Sequence, residues 1–302
     1  MDLLKISMYL ISIVLIVLLI YFGDIPKLIE EVKKVSIELI IILLILTIIY
    51  TFLRVYRFYF LLRKKYEIGF FSLFPIFAYG IALSNLVPAR FSEPIRAYIL
   101  KKEKNIPFSF SMACVFFERL SDVMALLFFS SVLFLFVDFK VLFVPFFVSF
   151  ALILIAIIAT QNEKVYGFFV AVCEGVCGFF ESVFRRKFKI GREIINGIKS
   201  MYKEMKLSKE FAIPLIISML IWVVDGLTFF LPLAFLGEKT DFVLILSIYS
   251  ISLLIGLISF LPGGFGSFEA SMTFLLAYIG ISYQKALIAT LLGRFFGLGL
   301  LM

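Results

Sequence analysis

The chain has 302 residues, 63% of them apolar and 17% charged, with a mean hydropathy of +1.10. A soluble domain of this size does not carry so much apolar side chain. Here it falls in runs long enough to cross lipid, so the chain reads as an all-α polytopic membrane protein. The net charge of +8 lies largely between those runs, where it marks basic loops facing anionic lipid; nucleic-acid binding is not expected.

Leu3 to Phe22 is the first span. It lacks a basic start and a small-residue cleavage site, so it reads as an anchor and not a removed signal. Gly23 to Ser36 is a mixed-charge loop. Ile37 to Leu62 is the second span, and its end carries Arg54, Arg57 and Arg63-Lys64-Lys65, a basic terminus suited to the cytoplasm. Phe70 to Leu100 is an apolar run broken in its middle, followed by Lys101, Lys102 and Lys104. Phe108 to Val137 is a long helix with Glu118, Arg119 and Asp122 inside it, and Val141 to Thr160 is a further span. Residues 161–208 hold two stretches with apolar residues recurring at three and four, separated by Arg185, Arg186, Lys187, Lys189 and Arg192. They read as an amphipathic segment on the cytoplasmic surface, with a helical hairpin packed on the bundle as the alternative. Phe211 to Leu236 spans again with Asp225 inside it; Phe242 to Ile279 is a second broken run, and Lys285 to Met302 the last helix.

The broken runs share a plan. In the first, SNLVPARFSEPIRAYIL, Pro88 stops the helix, Arg90, Glu93 and Arg96 follow, and Pro94 suits a new first turn. In the second, ISFLPGGFGSFEAS, Pro262, Gly263, Gly264 and Gly266 set the break before Glu269. Arg119 lies 26 residues after Glu93 and Arg294 lies 25 after Glu269, each within the next apolar helix. Paired, Pro/Gly-interrupted segments at matching positions of two halves mark a transporter-like repeat. The basic residues on both sides of the first break are reconciled with one cytoplasmic face if that element is a re-entrant hairpin. The weakly charged flanks of the second fit the outside. The expectation is one transmembrane domain of two inverted repeats, residues 1–137 and 138–302. Each has two spans, a hairpin and one more span; the N-terminus is cytoplasmic and the protein sits in the cell membrane. Eight full crossings are the alternative. If the repeat holds, the final helix stops about ten residues, or ~15 Å, short of its counterpart. The terminal carboxylate then sits at the cytoplasmic boundary, or the natural chain continues with a basic tail.

Inside the apolar zone Arg90, Arg96, Arg119 and Arg294 are positive, and Glu93, Glu118, Asp122, Asp225 and Glu269 negative. Near balance suggests mutual pairing, since each lone charge at a helix centre costs at least ~2.5 kcal/mol. Arg119 and Asp122 can pair along their helix. Glu118 and Asp122, one turn apart, repel unless Arg119 or an incoming cation sits between them. Structural pairs that fix helix register are one account. A cavity for a charged ligand, with guanidinium forks on a phosphate, is the other. With no histidine, acid–base chemistry would fall to Asp, Glu, Lys or Tyr. Cys114, Cys173 and Cys177 read as small apolar fillers, too few for a zinc site, and no metal or cofactor is expected.

NLVPARFSEPIRAYIL, FFERLSDVMALL and LPGGFGSFEAS, in this order, resemble the transmembrane region of the lysylphosphatidylglycerol synthase family. This is the flippase-like domain of multiple peptide resistance factors, also found in stand-alone membrane proteins. Where that family commonly has Gly before the first motif Glu, this chain has Ser92. The resemblance implies a lipid translocator without the soluble domain that attaches an amino acid to lipid, so headgroup synthesis is not expected. The leading expectation is movement of a phospholipid or lipid-linked polar headgroup between leaflets, with Arg90, Glu93, Arg96, Glu118, Arg119, Asp122, Glu269 and Arg294 lining the path. An ion-coupled transporter of a small anion shares this architecture, and a membrane enzyme acting on a lipid phosphate is a third reading. Membrane lipids, anionic ones above all, are the expected partners, and a homo-oligomer is compatible with the chain.

Overall fold

The computed structural model describes residues 3–86, 93–133, 208–259 and 261–297, with isolated positions between 167 and 199. Ten α-helices and one 3-10 turn account for the regular structure of the described residues. α1 (Leu3–Phe22) gives way at Gly23-Asp24 to α2 (Ile25–Val32), whose axis lies 86° from it. The loop expected over Gly23 to Ser36 therefore contains a helix. Pro26 fits its first turn, and Ile25, Leu28, Ile29 and Val32 recur at three and four, enough to lay one apolar stripe at an interface.

α3 (Ile37–Arg63) starts where the Ser36 hydroxyl accepts the Leu39 N–H at 3.2 Å. Its 27 residues extend about 40 Å, enough to cross a ~30 Å core with turns to spare. α4 (Phe70–Leu86) and α5 (Glu93–Lys104) fold against each other: Gly80 abuts Arg96, and Leu73, Ile76 and Phe77 share a core cluster with Leu100. α5 has 12 residues, about 18 Å, too short to cross alone. This is a helical hairpin, and it favours that arrangement over eight full crossings.

α6 (Phe108–Val132) packs on α5, α3 and the second half. α7 (Ser208–Phe235) runs antiparallel to α3, since Arg57 meets Ser218 while Leu39 and Leu43 share a cluster with Leu231. It is the hub of the bundle, touching α3, α6, α8 and α10. α8 (Phe242–Ile258) begins on the Asp241 carboxylate, which accepts the Val243 N–H at 2.7 Å. The turn Pro262–Gly264 then reverses the chain into α9 (Ser267–Tyr278). Gly263, Gly264 and Gly266 take φ of 58°, 70° and 87°, where a Cβ is strained, so the reversal needs glycine at its tip. Ile245, Leu246 and Leu253 of α8 pack with Phe268, Met272 and Leu276 of α9, making a second helical hairpin. α10 (Tyr283–Gly297) closes the described fold against α7 and α9.

Among the described residues, α3 and Ala212–Phe235 of α7 are long and apolar enough to cross a membrane, and α1 with α2 makes a third span if the bent pair counts as one. α6 carries three ionic residues, Glu118, Arg119 and Asp122, of which both carboxylates are buried in the bundle. The tip of the second hairpin touches α4 of the first, and also α1, so the two interrupted elements meet inside the protein. The span expected over Val141 to Thr160 lies outside the described residues, as does most of the surface segment. Within that segment Glu174 and Lys199 pair at 2.7 Å, and Val170 and Ile195 are buried.

Candidate functional site

One cluster of charge is built around Arg57. Its position on α3 faces the side where α6 and α7 converge, and its side chain is 0% exposed. Nη1 donates to Asp122 Oδ1 and to Ser218 Oγ, both at 2.5 Å, while Nη2 donates to Asp122 Oδ2 at 3.2 Å and Glu118 Oε1 at 3.4 Å. The Ser218 hydroxyl in turn donates a hydrogen bond to the Pro214 carbonyl. The two carboxylates one turn apart on α6 thus have a cation between them, and that cation is Arg57. By sequence alone Arg57 belongs to the basic cytoplasmic end of the span; in the structure it points into the bundle. Arg119 flanks the pair, 3.3 Å from Asp122 Oδ2.

Arg96 reaches the same cluster from α5, donating to Glu118 Oε2 at 3.0 Å. Its guanidinium lies 4.8 Å from the ring centres of both Phe58 and Phe77. A methyl group on Gly80 would occupy the space of the Arg96 stem, so this glycine opens the way for it. Trp222, the one tryptophan of the chain, donates its indole N–H to Asp122 Oδ1 at 3.1 Å.

A second cluster holds the tip of the second hairpin. Glu269, in the first turn of α9, accepts the Gly266 N–H at 2.6 Å, satisfying a helix-start donor, and its other oxygen lies 3.1 Å from Arg294 Nε. Arg294 also donates to the Gly263 carbonyl and stacks over Phe265 and Phe268, at 4.9 and 4.7 Å. Asp225 stands apart. It has no cation within 4.0 Å among the described residues; Oδ2 accepts the Tyr249 hydroxyl, and buried Oδ1 has no hydrogen-bond partner.

Of the residues expected to line a path, Arg96, Glu118, Arg119 and Asp122 come together, and Glu269 meets Arg294 at a separate place. Pro88 and Arg90 lie outside the described residues, as do the side chains of Glu93 and Pro262. Gly263, Gly264 and Gly266 form the tip, as expected. Arg119 and Arg294, expected as counterparts, pair differently: one with its own helix, the other with a hairpin. Sequence reasoning missed Arg57, Arg54, Tyr50, Trp222 and Tyr249. The signal for Arg54 and Arg57 was their place a full turn and more inside an apolar run, ahead of Arg63-Lys64-Lys65.

Between the clusters is a small, partly open cleft. Tyr50, Arg54, Trp222, Asp225, Tyr249 and Arg294 are among its walls. Arg54 donates to the Tyr50 hydroxyl at 2.7 Å and lies over that ring, with no carboxylate within 4.0 Å among the described residues.

An all-helical bundle, with two hairpins meeting over buried ion pairs, defines a polytopic membrane protein with a charged interior. The chain matches the lysylphosphatidylglycerol synthase TM region family over residues 9–302 and belongs to it. It is similar to a UPF0104 membrane protein of Methanocaldococcus jannaschii, 24% identical over 300 residues, covering 94% of this chain and 88% of that one. A UPF0104 membrane protein of Methanothermobacter thermautotrophicus is 26% identical over 249 residues, 76% of this chain and 71% of that one. A phosphatidylglycerol lysyltransferase of Staphylococcus haemolyticus is 34% identical over 74 residues, 24% of this chain and 9% of that protein.

Proposed function

We propose that this protein translocates a lipid bearing an anionic polar headgroup between membrane leaflets. The observation that carries the reading is the buried ionic cluster around Arg57. Among the described residues Arg57, Arg96 and Arg119 face two carboxylates, Glu118 and Asp122, inside an apolar bundle. Buried ionisable groups are expensive in a membrane and mark pathways for polar cargo. Arg96 ties this buried charge to the first hairpin, so the hairpin and the charged interior depend on each other. The partial match to a phosphatidylglycerol lysyltransferase supports a phospholipid cargo. The hairpins are re-entrant in this reading, in two halves of opposite orientation, with the basic segment of residues 161–208 on the cytoplasmic face of the cell membrane. Headgroup synthesis is not part of it.

Reconstitution in vesicles tests the reading. Labelled phosphatidylglycerol placed in one leaflet should reach the other faster with the protein than without it, and Arg96→Gln should slow the transfer. Equal rates in protein-free vesicles would remove the translocator reading. Transfer of soluble phosphate without lipid movement would replace it with the small-anion transporter.

A further inference from the structure

Every described ionic side chain of the two clusters has a partner of opposite charge. Arg54 and Asp225 do not, and both line the cleft between the clusters. We propose that this cleft is a proton-coupled anion site: a phosphate-class anion seats on Arg54, and Asp225 takes up one proton with it. The inference rests on the anionic-headgroup reading above and adds its driving force.

Arg54 offers the anion a guanidinium whose described contacts are with Tyr50 alone, so donors remain for a phosphate fork. Asp225 is where a proton can land without breaking an ion pair. Glu118, Asp122 and Glu269 are each tied to arginine, and a proton on any of them would free a buried cation. On Asp225 the proton meets a carboxylate held by a single donor, Tyr249, with its other oxygen bare.

The coupling is electrostatic. Facing Asp225 are Tyr50 and Arg54 from α3, Arg294 from α10 and Tyr249 from α8, with Asp122 and its partner Arg119 of α6 beyond Trp222. Arg294 is already matched by Glu269, so Arg54 is the uncompensated positive charge that favours the ionised carboxylate. An anion on Arg54 cancels that field and places two negative charges in one low-dielectric cleft; one proton on Asp225 restores balance. Linkage makes the effect reciprocal: protonation tightens the anion, and the anion draws the proton. A translocator with such a site would let a proton gradient drive its anionic cargo.

The test uses the full chain in detergent micelles and two phosphodiester probes, short-chain phosphatidylglycerol and water-soluble glycerophosphoglycerol. Both keep a single negative charge across neutral pH, so any proton taken up goes to the protein. Within the coupled range, affinity should fall about tenfold per unit rise in pH, with about one proton absorbed per probe bound. Asp225→Asn should bind with pH-independent affinity and no uptake, and Arg54→Gln should lose binding. If both probes bind, the headgroup phosphate suffices; if only the lipid does, its acyl chains are also needed. Binding without proton uptake, uptake that persists in Asp225→Asn, unchanged binding in Arg54→Gln, or no binding of either probe would each overturn the proposal. Wild-type uptake is read without any variant, so a variant that fails to fold leaves the result decisive. Lipid translocation in vesicles that ignores pH would sink this coupling while leaving the translocator reading intact.

Discussion

The two ends of the charged interior are built on opposite terms. Around Arg57 each carboxylate has at least two donors, and the cluster ties four helices, α3, α5, α6 and α7, at one point. Around Asp225 the same kinds of side chain line a small cleft and the carboxylate has one donor. Several partners on different helices fix geometry, because a buried charge so tied cannot move without losing several at once. Incompleteness leaves capacity for a ligand. Buried charge therefore has two uses in one bundle, and counting partners separates them.

The largest break in this contrast should come from Arg57→Met. It leaves Glu118 and Asp122 buried beside each other without the cation between them, a loss of ~3–5 kcal/mol. Unfolding in detergent would show it as a large drop in the denaturation midpoint, with part recovered when Asp122→Leu is added. A loss below about 1 kcal/mol would mean the cluster is not the lock described. Next comes Glu269→Ala, which strips the Gly266 cap and the Arg294 partner together and should cost ~2–3 kcal/mol by the same assay. Glu269→Gln should cost less, since its amide oxygen can still accept the Gly266 N–H.

Gly80→Val tests the passage that Arg96 uses. Added carbon must push aside the stem of Arg96, at ~1–3 kcal/mol of overpacking, and lipid transfer should slow as Arg96 leaves Glu118. An unchanged midpoint together with unchanged transfer would show that the helices separate freely. Asp225→Asn should be milder, within ~1 kcal/mol, because no ion pair is lost and the amide oxygen still accepts from Tyr249.

Much of the fold was legible in the chain because lipid simplifies the code. Long apolar runs mark helices, and the Pro262 to Gly266 run marks a break whose open backbone groups bare hydrocarbon would not tolerate. That interior charges pair with one another, and Arg119 with Asp122 along α6, also followed from placing charges in apolar helices; which residues pair across helices, Arg96 with Glu118 and Glu269 with Arg294, and that they form two clusters, did not. Arg57 did not, because a basic residue near the end of a span is the expected topology signal; only its rotation toward α6 and α7 distinguishes a lock from a cytoplasmic anchor. The cleft was equally hidden. Tyr50, Trp222 and Tyr249 look like ordinary aromatics of a membrane helix until three helices set them around Asp225. Helix α2 was missed because eight residues with three charges resemble a loop by composition, and its apolar stripe shows only by spacing.

The smallest expected effect lies at the edge of the bundle. Lys285 and Glu238 approach to 2.7 Å, as close as many of the interior pairs, and each side chain is about one-fifth exposed. Distance alone would rank this contact with the Arg57 cluster. Exposure argues otherwise, since water solvates either ion once its partner is gone, and the side chains regain freedom they had lost. Lys285→Gln should therefore cost at most ~1 kcal/mol, shrinking further as salt is raised, whereas the cost of Arg57→Met should hardly respond to salt. Measuring both variants at low and high ionic strength sets geometry against burial. If Lys285→Gln proves as costly as Arg57→Met, or if the two share one salt dependence, burial is not what distinguishes the interior pairs, and the division of the charged interior into a lock and an open site loses its physical basis.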